Sequence, residues 1–224
     1  MKKPSIVALI PVRKNSQRLK NKNFLKFFKN KSLLEIKIQQ LKQISYIDKI
    51  VVSSDSKKAA EIAKKNNVFF QKRKKYFASS KCSGSDFFRN LAQSTKCDYL
   101  GYFPCTSPII KKSTYISFFK NFFKNKKHYD SFNSVSVIKK FLWKSNKAIN
   151  YNTYSAPNSQ DLPNNFYSLT FGLNLISKKK MVELKNIVGK KPNFFPLSKI
   201  ETVDIDDKVD FEMVKGIYPK LFKK

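Results

Sequence analysis

The sequence predicts an α/β fold with a mostly parallel sheet, on three observations. Short β-branched apolar runs alternate with stretches of helical period through most of the chain, which is the pattern of strands joined by crossover helices. A length of 224 residues with 41% hydrophobic and 14% aromatic content is enough to bury a sizeable core, and it suits one domain. No internal repeat or linker interrupts the pattern, so the expectation is one domain over residues 1–224.

Ser5 to Val12 reads as a buried first strand. Ser32 to Ser45 carries Leu33, Leu34, Ile36, Ile38, Leu41 and Ile44, a stripe of roughly 3.6-residue period that predicts a helix. Lys49 to Ser54 is a second strand, Ser56 to Asn66 a helix buried through Ala59, Ala60, Ile62 and Ala63, and Val68 to Gln71 a short third strand. Ser85 to Ser94 turns Phe87, Phe88, Leu91 and Ala92 inward as a helix ahead of a strand at Asp98 to Phe103. The Phe-rich run Ser113 to Phe123 is a helix whose Ser-Thr pair suits an N-cap, and Ser131 to Ile138 is the next strand. From Phe141 to Phe166 the pattern loosens around Trp143, Tyr151, Tyr154, Pro157 and Pro163, an excursion from the sheet. Tyr167 to Ile176 returns as strand, Lys178 to Leu184 is a short helix, and Asp206 to Tyr218 is the closing helix.

Charge and rare residues narrow the chemistry. Against 15 Asp+Glu stand 46 Lys+Arg, a formal charge of +31. Such a balance ordinarily points to nucleic acid. Here the arginines are only Arg13, Arg18, Arg73 and Arg89, and the lysines run the whole length beside abundant Asn, Phe and Ile. That spread fits the codon bias of an AT-rich genome, so nucleic acid is not expected as a partner. The longest apolar run, Ile6 to Val12, is too short to span a bilayer. Behind Lys2 and Lys3 it imitates a signal peptide, but Pro11 and Arg13 end it early; a cytoplasmic protein with no membrane partner is expected. Cys82, Cys97 and Cys105 lack metal-ligand spacing. The one histidine, His128, lies among lysines in the setting of a solvated helix end, which argues against His-dependent catalysis.

In open parallel sheets, ligands bind beyond the carboxyl ends of the strands. After the first strand, Arg13 to Lys22 packs five cations into ten residues; a triphosphate would be held there by charge-assisted hydrogen bonds, with Arg13 and Lys22 best placed. No glycine precedes Gly84, so neither a P-loop nor a dinucleotide fingerprint is possible, and side chains must do most of the phosphate binding. Near the other end, Glu201 to Phe211 holds five acids in eleven residues. On a strand, Asp204 and Asp206 would point the same way, toward one Mg²⁺. Asp207 and Asp210 read instead as helix capping. Cys105-Thr106-Ser107-Pro108 supplies hydroxyls in a rigid turn, and Asn158 to Pro163 supplies amide and carboxylate groups.

Together these pieces resemble the acylneuraminate cytidylyltransferases, or CMP-sialic acid synthetases. The anchors are Ile10-Pro11-Val12-Arg13 with Ser16 and Lys22-Asn23; Val52-Ser53-Ser54-Asp55; Thr106-Ser107-Pro108; Ser159-Gln160-Asp161-Leu162-Pro163; and Asp204-Ile205-Asp206 with Asp210-Phe211. The resemblance implies a three-layer Rossmann-like nucleotide-diphospho-sugar transferase fold with a small inserted dimerisation excursion, about 141–166. It implies an enzyme that joins CMP from CTP to a nine-carbon 2-keto sugar acid and releases pyrophosphate. Arg13 and Lys22 would bind the nucleotide phosphates, Ser16 would also contact the nucleotide, and Asn23 would lie against the cytidine. Arg73 with the Ala78 to Ser85 segment, Ser83 included, would close the base pocket. Asp204 and Asp206 would hold Mg²⁺, and Thr106, Ser107, Gln160 and Asp161 would face the sugar. A homodimer is implied, with Trp143, Tyr151, Tyr154 and Phe166 as interface anchors.

Three departures stand out. Lys14-Asn15 replaces the family's usual glycine pair, Pro104-Cys105 replaces a Gln-Pro, and Ser159 stands where an arginine is common. Arg13-x-x-Ser16-x-Arg18-Leu19 also resembles the Kdo cytidylyltransferases, the nearest rival reading. A basic nucleic-acid-binding protein or an inactive relative is the rival from another class.

Overall fold

The computed structural model describes residues 3–14 and 16–222; Met1, Lys2, Asn15, Lys223 and Lys224 lie outside them, so Lys2 of the signal-like run and Asn15 of the Lys14-Asn15 pair are not followed further. In chain order, β1 (Ile6–Val12) leads through a 3₁₀ turn at Lys22–Phe24 to the small hairpin β2 (Lys26–Phe28) and β3 (Lys31–Ser32), then α1 (Leu33–Lys42). β4 (Lys49–Ser54), α2 (Lys57–Lys65), β5 (Phe69–Lys72), the single turn α3 (Lys75–Ala78) and α4 (Gly84–Gln93) follow. Next come β6 (Tyr99–Tyr102), α5 (Lys112–Asn125) and β7 (Ser131–Val137). The excursion holds a hairpin of β8 (Trp143–Lys144) and β9 (Lys147–Ala148), and β10 (Tyr167–Ser177), α6 (Lys178–Leu184), β11 (Pro192–Pro196) and α7 (Lys208–Leu221) complete the chain.

Among the described residues the main sheet has seven strands in the order β11-β7-β10-β6-β1-β4-β5. β1 pairs in parallel with β4 and β6, as does β4 with β5 and β7 with β11, while β10 runs antiparallel to both β6 and β7. The reversal follows from the connection. The chain leaves β7 through the excursion and returns at the same end with no crossover helix, so the returning strand must run backwards.

Period-two alternation in β1 feeds two cores. Ile6, Ala8, Ile10 and Val12 pack with α1, α2, α5 and α7 on one face; Leu9 packs with α4 and α6 through Leu91 and Met181 on the other. The result is the three-layer, mostly parallel α/β architecture expected from the sequence. Lys49–Ser54 and Lys178–Leu184 have the bounds the sequence predicts.

Several details differ. α5 starts at Lys112, and Lys111 occupies its N-cap with no side-chain bond. The expected Ser-Thr cap is replaced by Glu201, whose Oε1 accepts from Lys111 N at 2.9 Å and Thr114 Oγ1 at 2.6 Å. The closing helix begins at Lys208, with Asp207 and Asp210 forming a reciprocal capping box. Asp204–Asp206 is not a strand; it is extended chain whose Ile205 N donates to Thr106 O at 2.8 Å. The alternation survives, because Ile205 is buried while both aspartates keep partial exposure. β11 was not expected: a proline at each end of Asn193-Phe194-Phe195 hides it, and as a sheet-edge strand it tolerates them.

Candidate active site

Strand order reverses beside β1: the chain moves outward through β4 and β5, then returns to β6 on the other side. A crevice opens at such a switch point, beyond the carboxyl ends of the strands. Here it is a cavity of about 430 Å³, lined by the loops after β1, β5 and β6 and by Asp206.

The basic loop and the acidic segment meet at this cavity. Arg18 Nη2 lies 2.6 Å from Asp206 Oδ1. Lys22 Nζ donates to the carbonyls of Ile205 and Asp206. Lys22 is half-buried; desolvation lowers its pKa, against the pull of Asp204 and Asp206 in the other direction. At Asp204, desolvation raises the pKa and the like charge of Asp206 adds to it, while hydrogen bonds from Thr106 and Ser107 and the charge of Lys22 oppose the rise. Ser107 Oγ donates to Asp204 Oδ1 at 3.2 Å. The turn after β6 and the acidic segment are thus tied together by backbone and side chain.

Beneath that turn stands Lys37, which sequence reasoning missed. It is fully buried on α1, and Nζ donates to Ser107 O and to the Tyr115 hydroxyl, each at 2.8 Å. Burial lowers its pKa to about 8, and Cys105 and Asp204 counteract the drop. One turn along, Gln40 Nε2 donates to the carbonyls of Pro108 and Ile110.

Arg73 is buried at the wall of the cavity. Its Nη2 bridges the carbonyls of Val12 and Ser53, tying the ends of β1 and β4, and its guanidinium lies 5.1 Å from the Phe87 ring centroid. Burial lowers its pKa to about 10, opposed by Asp55. Asp55 also accepts from Lys14 N at 2.8 Å, which fixes the start of the basic loop.

Of the residues read from sequence, Arg13, Ser16, Lys22, Asn23, Arg73, Ser83, Thr106 and Asp206 line this cavity. Ala78 does not; its neighbours Phe77 and Ser79 do. Ser107 and Asp204 lie behind the lining, engaged with each other. Gln160 and Asp161 are exposed on the excursion and are not among the lining residues. Trp143 and Tyr154 are exposed there too, Tyr154 at 99%, while Tyr151 meets Phe141 edge-on at 4.8 Å and Phe166 is half-buried. Cys82, Phe87 and Tyr102 line the cavity without having been singled out. His128 is an exposed turn residue after α5. Among the described residues no helix is long and apolar enough to cross a membrane.

Comparison with known proteins bears on the family and the fold. A family model described as cytidylyltransferase matches residues 7–167. The chain is 27% identical to the N-acylneuraminate cytidylyltransferase of Escherichia coli O18:K1:H7 (strain RS218 / NMEC), over 96% of this chain and 52% of that protein. The chain therefore spans about half the length of the curated relative it matches. Among solved structures, a CMP:2-keto-3-deoxy-manno-octonic acid synthetase complexed with CTP superposes with a TM-score of 0.69 at 12% identity, covering 97% of this chain and 100% of that one. The 4-diphosphocytidyl-2C-methyl-D-erythritol synthase of Anaerococcus prevotii DSM 20548 gives 0.69 at 10% identity, with 97% and 99% covered. At these identities the likeness is one of fold.

Proposed function

The chain belongs to the cytidylyltransferase family, and from that premise we propose that it transfers CMP from CTP to a nine-carbon 2-keto sugar acid of the sialic-acid type, releasing pyrophosphate. The observation that carries the reading is the junction of Arg18 and Lys22 with the Ile205–Asp206 segment at the mouth of the cavity. Cations and carboxylates that share one cleft suit a triphosphate. The nine-carbon acceptor is supported by Ser159–Pro163, by Thr106–Pro108 and by the 27% identity to an N-acylneuraminate enzyme.

In the reaction, the anomeric hydroxyl oxygen forms a bond to the α-phosphorus of CTP and gives up its proton to water. The bond from that phosphorus to the bridging oxygen breaks, and pyrophosphate departs. Such transfers depend on in-line positioning and charge neutralisation more than on covalent help, which suits a site without histidine. Arg13 and Lys22 bind the phosphates and offset the charge that grows on the leaving group. Ser16 and Asn23 hold the nucleotide, with Arg73, Ser83 and the Ala78 turn at its base end. Thr106 faces the acceptor from the cavity wall, Ser107 stands behind it on Asp204, and Gln160 and Asp161 would meet the acceptor from the excursion.

Asp204 and Asp206 fit a divalent cation. Two neighbouring carboxylates, one partly desolvated, repel each other until a cation joins them. Among the described residues no group of three or more His, Cys, Asp or Glu is placed to hold a metal, so phosphate oxygens and water would complete the shell, as Mg²⁺ prefers. When bound, Mg²⁺ would offset phosphate charge there. A second copy of the chain would cover Trp143 and Tyr154 in a homodimer.

The test is pyrophosphate release from CTP with a panel of nine- and eight-carbon 2-keto acids. Turnover with a nine-carbon acid is expected, and turnover with none would overturn the reading. Turnover with the eight-carbon acid alone would favour a Kdo-type enzyme, a reading supported by Arg18 at the site within Arg13-x-x-Ser16-x-Arg18-Leu19.

A further inference from the structure

Lys37 sits where an apolar residue would be the cheaper choice. It occupies the inward stripe of α1, between Leu34 and Leu41, and is 0% exposed. An ammonium taken from water into such a core costs several kcal/mol unless its surroundings compensate. Among the described residues no carboxylate is bonded to it directly; its two partners are a backbone carbonyl and a phenol. That carbonyl belongs to Ser107, whose hydroxyl meets Asp204. The turn it supports is held closely elsewhere as well. Gln40 binds two further carbonyls of the same stretch. On β10, a Cβ added at Gly172 would come within 2.7 Å of Ile110 Cδ1 and 3.6 Å of Ser107 Cβ, so the strand packs directly against the turn.

We infer that Lys37 is a positioning residue: it locks the Ser107 carbonyl from the interior, which fixes the Ser107 hydroxyl on Asp204 and so sets how that carboxylate meets a divalent cation bound with the nucleotide. The inference rests on the proposed function and extends it to a residue that touches neither nucleotide nor acceptor. Groups that orient a metal-binding carboxylate from behind commonly change metal affinity 10- to 100-fold when removed. The positive charge of Lys37 also acts on Asp204 across the turn, a contribution that a neutral side chain lacks.

The experiment compares wild type with Lys37→Met and Lys37→Gln. It uses Mn²⁺ titrated in the presence of CTP and followed by electron paramagnetic resonance, with the thermal midpoint recorded for each protein. Lys37→Met should weaken Mn²⁺ binding about tenfold or more. Lys37→Gln, which still offers a donor to the Ser107 carbonyl, should recover part of the loss. CTP binding measured without divalent cation should move less than about threefold. If both variants melt earlier yet bind Mn²⁺ as the wild type does, Lys37 is a packing residue and the inference fails. If the Lys37 variants do not fold, Ser107→Ala decides instead: it removes the link to Asp204 and keeps the carbonyl contact, and unchanged Mn²⁺ affinity there would equally overturn the inference. No acceptor sugar is needed for these titrations. A wild type that binds Mn²⁺ and CTP but turns over no keto acid would defeat the proposed function and leave the role of Lys37 decided on its own.

Discussion

Arg18 and Asp206 stand 188 positions apart in the chain and 2.6 Å apart in space. Their side chains are 65% and 45% exposed, so water screens the pair and its contribution to folding is about 0–1 kcal/mol. Arg18→Ala should therefore leave the calorimetric midpoint nearly unmoved. Asp206→Asn should also fold normally but lose pyrophosphate release on the order of 10²-fold. An Asp206→Asn protein with near-normal turnover would remove this carboxylate from the chemistry.

Lys22 reaches across the cleft to two carbonyls of the acidic segment. Replacing it with Met takes away that tether and, on the proposed function, a phosphate ligand. With CTP varied in a steady-state assay, kcat/KM should fall on the order of 10²-fold. A change confined to the acceptor's KM would place Lys22 outside the nucleotide subsite.

Arg73 ties together the ends of two parallel strands, and Arg73→Ala strands the carbonyls of Val12 and Ser53 in a buried place. Each buried, unsatisfied partner costs about 1–3 kcal/mol, so urea denaturation should show a loss of about 2–4 kcal/mol with the slope unchanged. A loss under about 0.5 kcal/mol would mean that water replaces the guanidinium freely.

Lys37 should leave a mark on the pH dependence of stability. Its pKa is about 8 in the folded protein against an ordinary 10.5. Between those values the unfolded chain holds a proton that the folded one has released. Stability therefore rises with pH across that window, and the burial penalty is fully present below it. Subtracting the Lys37→Met curve from the wild-type curve removes the opposite contribution of Tyr218, pushed up to about 12 by burial, whereas Cys105, also pushed up to about 12, is coupled to Lys37 and stays in the difference above pH 9. A flat difference from pH 8 to 10 would show that Lys37 keeps its proton when buried.

Glu201 serves as the start of a helix that begins ninety residues earlier in the chain. Besides Lys111 N and Thr114 Oγ1, it accepts from Ser198 Oγ. Glu201→Ala should cost about 2 kcal/mol by chemical denaturation, in the upper range for a lost N-cap, and Glu201→Gln clearly less. Equal losses from both would indicate that the charge, not the acceptor geometry, is what α5 needs.

Where local pattern decides structure, the sequence was readable. The apolar run Ile50–Val52 sits between Lys49 and the Ser53-Ser54 pair, and the strand takes in both flanks as the sequence reading has it. The alternation of Asp204, Ile205 and Asp206 gives the correct sidedness even though no ladder forms there, because Ile205 is driven inward whatever its backbone pairs with. What was hidden depends on distant partners. β11 exists through its pairing with β7 and shows no alternation of its own. Glu201 replaces a cap that Ser113 and Thr114 advertise locally. Lys37 was half visible: a lysine three residues after Leu34 and four before Leu41 lies on the apolar stripe of α1, a local conflict that flags a buried charge without revealing its partners.

The excursion carries one more consequence. Tyr167 stands opposite Val137 in the sheet, and the two ends of the inserted segment are joined by a backbone bond from Ile138 N to Phe166 O at 2.8 Å. Everything between them hangs from the sheet by a closed neck, like a cassette. Because strand pairing closes that neck, a residue added to or removed from the segment changes the size of the loop and leaves the register of β7 against β10 where it is.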